Sequence, residues 1–140
     1  MAKTICKLLG VVLLLVGIIG FVKPGFLGTH LSMAHNLVHI LSGIIALYFG
    51  FAASLSAARG FCLAFGAVYL LLGICGFILG SAQPTTLTNM TDMAADTRLW
   101  KVIPGTLELG TADHAVHLLL GILFLVGALM TKTNYARAVD

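Results

Sequence analysis

Charge is what this chain has least of. Of its 140 residues only 9% are charged, against roughly 25% in a typical soluble domain. The formal net charge of +3 is too small to argue for a nucleic-acid partner. Cysteine is scarce too. Cys6, Cys62 and Cys75 are the three, and no CxxC occurs, so spacing signals neither a redox pair nor a thiolate metal site. They read as small apolar packing residues. No P-loop, GxSxG or HExxH is present, which removes the common phosphate-binding, hydrolase and zinc-protease signatures. No carboxylate pair lies inside an apolar run and no nucleophile stands with a base, so the balance leans away from an enzyme. The sequon-like Asn89-Met90-Thr91 has meaning only in a glycosylating host.

Apolar length is what the chain has instead. Hydrophobic residues make up 59%, and the mean hydropathy is +1.05. Four runs stand out: Ile5–Val22, Leu31–Leu55, Phe61–Leu79 and Ala112–Met130. Runs of roughly 18–25 residues match a hydrocarbon core of about 30 Å. A helix satisfies its own backbone in lipid, so the expected fold is an all-α bundle of four transmembrane helices. The first run, with Lys3 and Lys7 at its front, has the outline of a signal peptide. Phe21-Val22-Lys23-Pro24-Gly25 follows it rather than a small-x-small cleavage pattern, so a retained helix is expected.

Lysine and arginine set the expected orientation. With a cytoplasmic N-terminus, Lys3, Lys7, Arg59, Lys132 and Arg137 fall inside, and Lys23, Arg98 and Lys101 outside. That majority favours both termini in the cytoplasm. The acidic residues Asp92, Asp96, Glu108 and Asp113 then lie at the outer face, Cys6 and Cys62 near the inner one, and Cys75 deeper in the third run.

The chain also reads as a tandem repeat, about 5–55 and about 61–131. Gly10, Val12, Leu14, Leu15, Gly17, Ile18, Gly20 and Phe21 recur at an offset of 56 as Gly66, Val68, Leu70, Leu71, Gly73, Ile74, Gly76 and Phe77. Cys6 meets Cys62 on that offset. In the second helices, Val38, His39, Leu41, Gly43, Ile44 and Leu47 answer to Val116, His117, Leu119, Gly121, Ile122 and Leu125. Pro24-Gly25 recurs as Pro104-Gly105. The expected architecture is a helical hairpin written twice, with the halves related by an axis along the membrane normal. Small residues let helices approach closely in lipid, which assigns Gly17, Gly20, Gly43, Gly73, Gly76 and Gly121 to packing. The connectors differ: a short outer turn 23–30, a tight inner connector Ser56–Arg59, a Thr-rich outer segment 81–111 that folds over the mouth of the bundle, and a frayed tail 131–140. Trp100, between Arg98 and Lys101, reads as an interfacial anchor.

Two motifs carry the chemistry. His35-Asn36-Leu37-Val38-His39 and Asp113-His114-Ala115-Val116-His117 each open an apolar run, about 78 residues apart. Ionisable side chains there are expensive unless paired or liganded. Residues four apart share a helix face, so His35 stacks on His39 and Asp113 on His117, and the repeat makes His39 the counterpart of His117. Three imidazoles and a carboxylate converging in the outer half suit a divalent metal such as zinc, iron or copper. Asn36, His114 and His30 are candidates to orient that set. Other readings of the same residues stay open: hydrogen bonds between helices and loop, with Asp113 as a helix cap, a haem or pigment on the histidines, or a proton relay.

The runs H-N-L-V-H-I-L-S-G at His35–Gly43, Y-L-L-L-G-I-C-G-F at Tyr69–Phe77 and T-A-D-H-A-V-H-L-L-L-G at Thr111–Gly121 resemble the signature of a bacterial four-helix membrane family, domain of unknown function number 4383. The resemblance covers nearly the whole chain. It implies a small multi-pass protein of the bacterial cytoplasmic membrane and no particular activity. The family's second motif more often has D-N where this chain has Asp113-His114, which sets His114 apart. Together these readings favour an accessory or structural subunit, packed against other membrane subunits or a second copy in the lipid bilayer. The alternative is a protein that binds a metal or tetrapyrrole through His35, His39, Asp113 and His117.

Overall fold

In the computed structural model, which describes residues 1–90 and 92–132, the apolar runs become α1 (Ala2–Val22), α2 (Met33–Phe51), α3 (Leu55–Leu79) and α4 (Thr111–Leu129). All four are long and apolar enough to cross a membrane. Thr91 of the sequon-like triplet, Arg137 of the charge count and most of the tail lie outside the described residues.

Local chemistry sets the helix starts. Ser32 caps α2, its hydroxyl accepting the His35 N–H at 3.2 Å. Ser54 caps α3 in the same way through Ala57 N–H at 3.1 Å, and serine at this position satisfies an otherwise orphaned donor. That second cap corrects the expected connector. The α2–α3 turn occupies 52–54, so Leu55 and the stretch 56–59 belong to α3, and α2 stops at Phe51.

α1 lies along α2 and α3 along α4, while contacts between these two hairpins are sparser. Glycines set the close approach within each pair. A methyl at Gly43 would stand 2.8 Å from the Gly10 carbonyl oxygen, and one at Gly121 2.6 Å from the Leu70 nitrogen. Gly17 faces the Asn36 carbonyl and Gly73 the His114 carbonyl, and a methyl added at either glycine would stand 2.8 Å from that oxygen. Gly20 seats the Asn36 amide, and Gly76 seats the His114 ring. The hairpins meet through Cys6, Leu9, Leu13, Phe61, Tyr69 and Phe124, all buried. At the end holding the N-terminus, Cys6 and Cys62 bring their sulfurs to 3.4 Å. Leu8, Leu15, Ile18, Leu41, Ile44, Leu71 and Leu119 point outward and are exposed, an apolar belt of the kind that lipid covers.

The opposite end is not all-helical. Three strands, β1 (Ser81–Gln83), β2 (Asp96–Ile103) and β3 (Leu107–Leu109), form an antiparallel sheet in the order β1-β2-β3. Ser81 pairs with Leu99, and Trp100 with Leu109. The physical reason is backbone demand: chain covering the bundle end buries peptide groups that need partners, and a ladder supplies them. Gly105, at φ +71°, turns β2 into β3 in a conformation that glycine adopts without steric cost. Pro24-Gly25 has no such hairpin. Gly25 precedes a short 3₁₀ turn, η1 (Phe26–Gly28), and its φ is −90°. The recurring Pro-Gly pairs therefore serve different turns.

Candidate functional site

Ser32 places His35 third and His39 seventh in α2. Gly110 precedes α4, which places Asp113 third and His117 seventh in that helix. The two histidine motifs thus enter the bundle at equal depth from the sheet end.

The structure gathers three of the four singled-out residues. His35, His39 and His117 offer ligating nitrogens that all lie within 4.8 Å of one another, and all three side chains are buried. His35 Nε2 and His39 Nε2 are 2.9 Å apart, with the rings stacked at 4.5 Å between centroids. The His117 ring is 5.8 Å from that of His35 and 5.5 Å from that of Tyr69. His35 Nδ1 stands 2.9 Å from the His30 carbonyl oxygen. A carbonyl only accepts, so Nδ1 donates, and in the neutral ring Nε2 is left with its lone pair. Among the described residues, Nδ1 of His39 and Nδ1 of His117 are buried without a partner.

Asp113 lies behind His35 rather than among the three nitrogens. Its Oδ1 is 4.0 Å from His35 Nδ1. Its Oδ2 accepts the Gly110 N–H at 2.7 Å and the His30 N–H at 2.9 Å. A carboxylate in the first turn is favoured by the helix dipole. Asp113 therefore ties the start of α4 to the loop that presents the His30 carbonyl to His35. His30 acts through its backbone. Its ring nitrogens make no hydrogen bond among the described residues, with Nδ1 3.5 Å from Asp113 Oδ2.

Asn36 and His114 turn away from the triad. The Asn36 amide packs against Gly20 of α1. His114 Nε2 lies 2.7 Å from the Arg98 carbonyl oxygen on β2, and its ring meets Phe77 edge-on. Of the two roles open to His114, holding the outer segment is the one its position serves.

Two acidic residues outside the helices hold the cover in place, and sequence reasoning missed both. Asp96 on β2 accepts from Thr111 Oγ1 at 2.6 Å and from Thr111 N–H at 3.0 Å, at the first residue of α4. Burial raises its pKa, but the bonds from Thr111 and from the Arg98 N–H outweigh that and hold the carboxyl below its usual range. Glu108 is fully buried. It accepts from Thr85 Oγ1 at 2.7 Å, Thr86 N–H at 2.9 Å and Gly105 N–H at 3.0 Å, and from the Thr86 hydroxyl. Burial again pushes upward, and these donors together bring the carboxyl down to about 2. The threonines around Glu108 were the readable signal. The nearness of Cys6 to Cys62 was signalled only by their shared offset.

No curated protein and no solved structure matches the chain. A family model described as Domain of unknown function (DUF4383) matches residues 3–100, a span that includes His35 and His39 and ends before Asp113 and His117. That match covers well over half of the chain, and the protein belongs to the DUF4383 family.

Proposed function

We propose that this protein is a multi-pass membrane protein that binds a divalent transition metal through His35, His39 and His117. The observation that carries the reading is the convergence of three buried imidazole nitrogens within 4.8 Å. Three histidines with an open position form a known ligand set for zinc, and imidazole equally suits iron and copper. The 2.9 Å between the two Nε2 atoms is close to the roughly 3.3 Å that a tetrahedral ion with Zn–N near 2.0–2.1 Å requires. The third nitrogen, on His117, lies within 4.8 Å of that pair and closes on the ion by side-chain rotation in this reading. A ligating histidine ordinarily donates its other N–H to a carbonyl or carboxylate, as His35 does to His30. Asp113 enters as the nearby anionic support rather than as a ligand.

The space beside the triad, about 180 Å³, is small against the roughly 300–1,000 Å³ of drug-sized ligand pockets. That weighs against haem or another tetrapyrrole. Metal analysis of the purified chain, with and without the three imidazoles, tests the metal reading.

A second reading is an accessory subunit of a larger membrane assembly. It is favoured by the wide apolar belt, which another subunit or a second copy could cover as well as lipid. A large co-purifying complex that survives loss of His39 and His117 supports it.

Both readings share an architecture. The hairpins are copies of one unit, 5–55 and 61–131, interrupted by the segment 81–111. The support is a set of paired contacts. Gly10 meets Leu47 as Gly66 meets Leu125, and Gly20 seats Asn36 as Gly76 seats His114. Cys6 Sγ faces the Ala58 carbonyl as Cys62 Sγ faces the Ala2 carbonyl. The lysine and arginine distribution supports an orientation with both termini in the cytoplasm of a bacterial cell and the triad toward the outer face of its membrane.

A further inference from the structure

α2 and α3 touch little, and between them lies the cavity of about 180 Å³ that reaches the triad. Val38 of α2 and Val68 of α3 line it and are 51% and 54% exposed. Its mouth therefore opens on the lipid-facing belt. Leu72 of α3 and Val102, Leu107 and Leu109 of the sheet complete an apolar wall. Among the described residues, no lysine, arginine, aspartate or glutamate lines the cavity.

We propose that this cavity binds the uncharged six-membered ring of a membrane-dissolved molecule of the quinone class, with a ring oxygen turned toward the histidines. Four properties carry the proposal. The first is size: a dry apolar cavity of about 150 Å³ accepts benzene, so this one takes a ring head group and leaves a tail in the bilayer. The second is shape. His35, His39, His117, Phe65 and Tyr69 all line it, and aromatic rings favour a flat partner in offset or edge-on contact. The third is polarity. Ser42, Tyr69 and the imidazoles gather the cavity's hydrogen-bonding groups, which suits a ring oxygen. Nε2 of His35 and of His39 already face each other, but Nδ1 of His39 and of His117 are buried without a partner among the described residues, and an acyl chain offers them none. The fourth is access, because a mouth on the lipid belt admits only what dissolves in the membrane. The proposal goes beyond the metal reading and requires no metal.

The single tryptophan supplies the readout. Trp100 lines a neighbouring hollow together with Val68 and Leu72, two residues that also line the cavity. The full chain in lipid nanodiscs, with a chelator present throughout, is titrated with a short-tailed benzoquinone while Trp100 fluorescence is followed. Saturable quenching is expected. Ser42→Phe, which puts a ring into the cavity, is expected to weaken it at least tenfold. Leu41→Phe, at a neighbouring exposed position, is expected to leave it unchanged. Benzene is expected to compete in the unsubstituted protein, a result that does not depend on how Ser42→Phe folds. Linear, unsaturable quenching, or no competition by benzene, overturns the proposal. Displacement by palmitic acid as effective as that by benzene also overturns it and makes an acyl chain the occupant. Because the chelator keeps metal away, none of these outcomes bears on the triad as a metal site.

Discussion

The His30 carbonyl oxygen and His35 Nδ1, 2.9 Å apart, decide which edge of the His35 ring is free. The contact consumes the ring's N–H and leaves the Nε2 lone pair directed at His39. The loop carrying His30 is itself held by α4, because Asp113 accepts the His30 N–H. The histidine pair of one hairpin is thus oriented by a carboxylate of the other.

Asp113→Asn tests that linkage. Asparagine keeps the size but loses the charge, which weakens the bonds to Gly110 and His30. Lost outer-shell partners typically reduce metal affinity about 10–100-fold, and that range is expected here. A stability loss of about 1–3 kcal/mol should accompany it, the usual consequence of a weakened buried hydrogen bond to a charged group. Metal titration and thermal unfolding in detergent measure the two.

Glycine substitutions separate packing from propensity. Gly121→Val forces a side chain against the Leu70 backbone and should destabilise by about 1–3 kcal/mol, as overpacking does. Gly60, inside α3, has nothing within 4 Å of an added methyl. Gly60→Ala should therefore stabilise by about 0.5–1 kcal/mol through helix propensity alone. Thermal unfolding of the two variants should move in opposite directions.

Glu108 makes the cover over the bundle sensitive to acid. Its carboxyl is held near 2 in the folded protein, against an ordinary 4.5. A depressed folded pKa means the unfolded chain binds the proton more readily. The stabilisation from Glu108 is therefore complete above about pH 4.5 and declines as pH falls toward 2. Hydrogen-exchange protection of the Thr86 and Gly105 amides, both donors to Glu108, measured against the intrinsic rate at each pH, should fall across that window. Glu108→Gln should show faster exchange at neutral pH already.

The contact of α1 with α3 predicts a cross-link. In Cys75→Ser protein, diamide should oxidise Cys6 and Cys62 to an intramolecular disulfide, since their sulfurs stand 3.4 Å apart. A mobility shift on non-reducing gels, absent in Cys62→Ser, checks it. No shift would mean that the hairpins do not meet at Cys6.

The helices were legible because hydropathy sets them, and the sequence spacing correctly anticipated four. Their ends were less so. Leu55 continues the apolar pattern of the second run, and only the cap at Ser54 reveals that it begins α3. The sheet went unread for another reason. Pro104-Gly105, between the largely apolar Leu99–Ile103 and the short Leu107–Leu109, is a hairpin signal, but it reads equally as a repeat of Pro24-Gly25, which forms no hairpin. At the site, four-residue spacing put His35 beside His39. The bond of Asp113 to the Gly110 N–H is the local helix cap that the sequence offered as one reading, whereas its bond to the His30 N–H, from 83 residues away, is assembled only by the tertiary fold. Asn36 and His114 share helix positions but not chemistry, and both are absorbed by glycine-lined contacts with the neighbouring helix.

Metal stoichiometry tests the central claim most directly. The purified chain, loaded with cobalt(II) and freed of excess, should retain about one ion per chain, with the visible absorption of a nitrogen-ligated site. His39→Ala and His117→Ala should each lose it while helix content by circular dichroism stays the same. Failure of the unsubstituted protein to retain cobalt or zinc, or retention by a His39→Ala/His117→Ala double variant, would contradict the account.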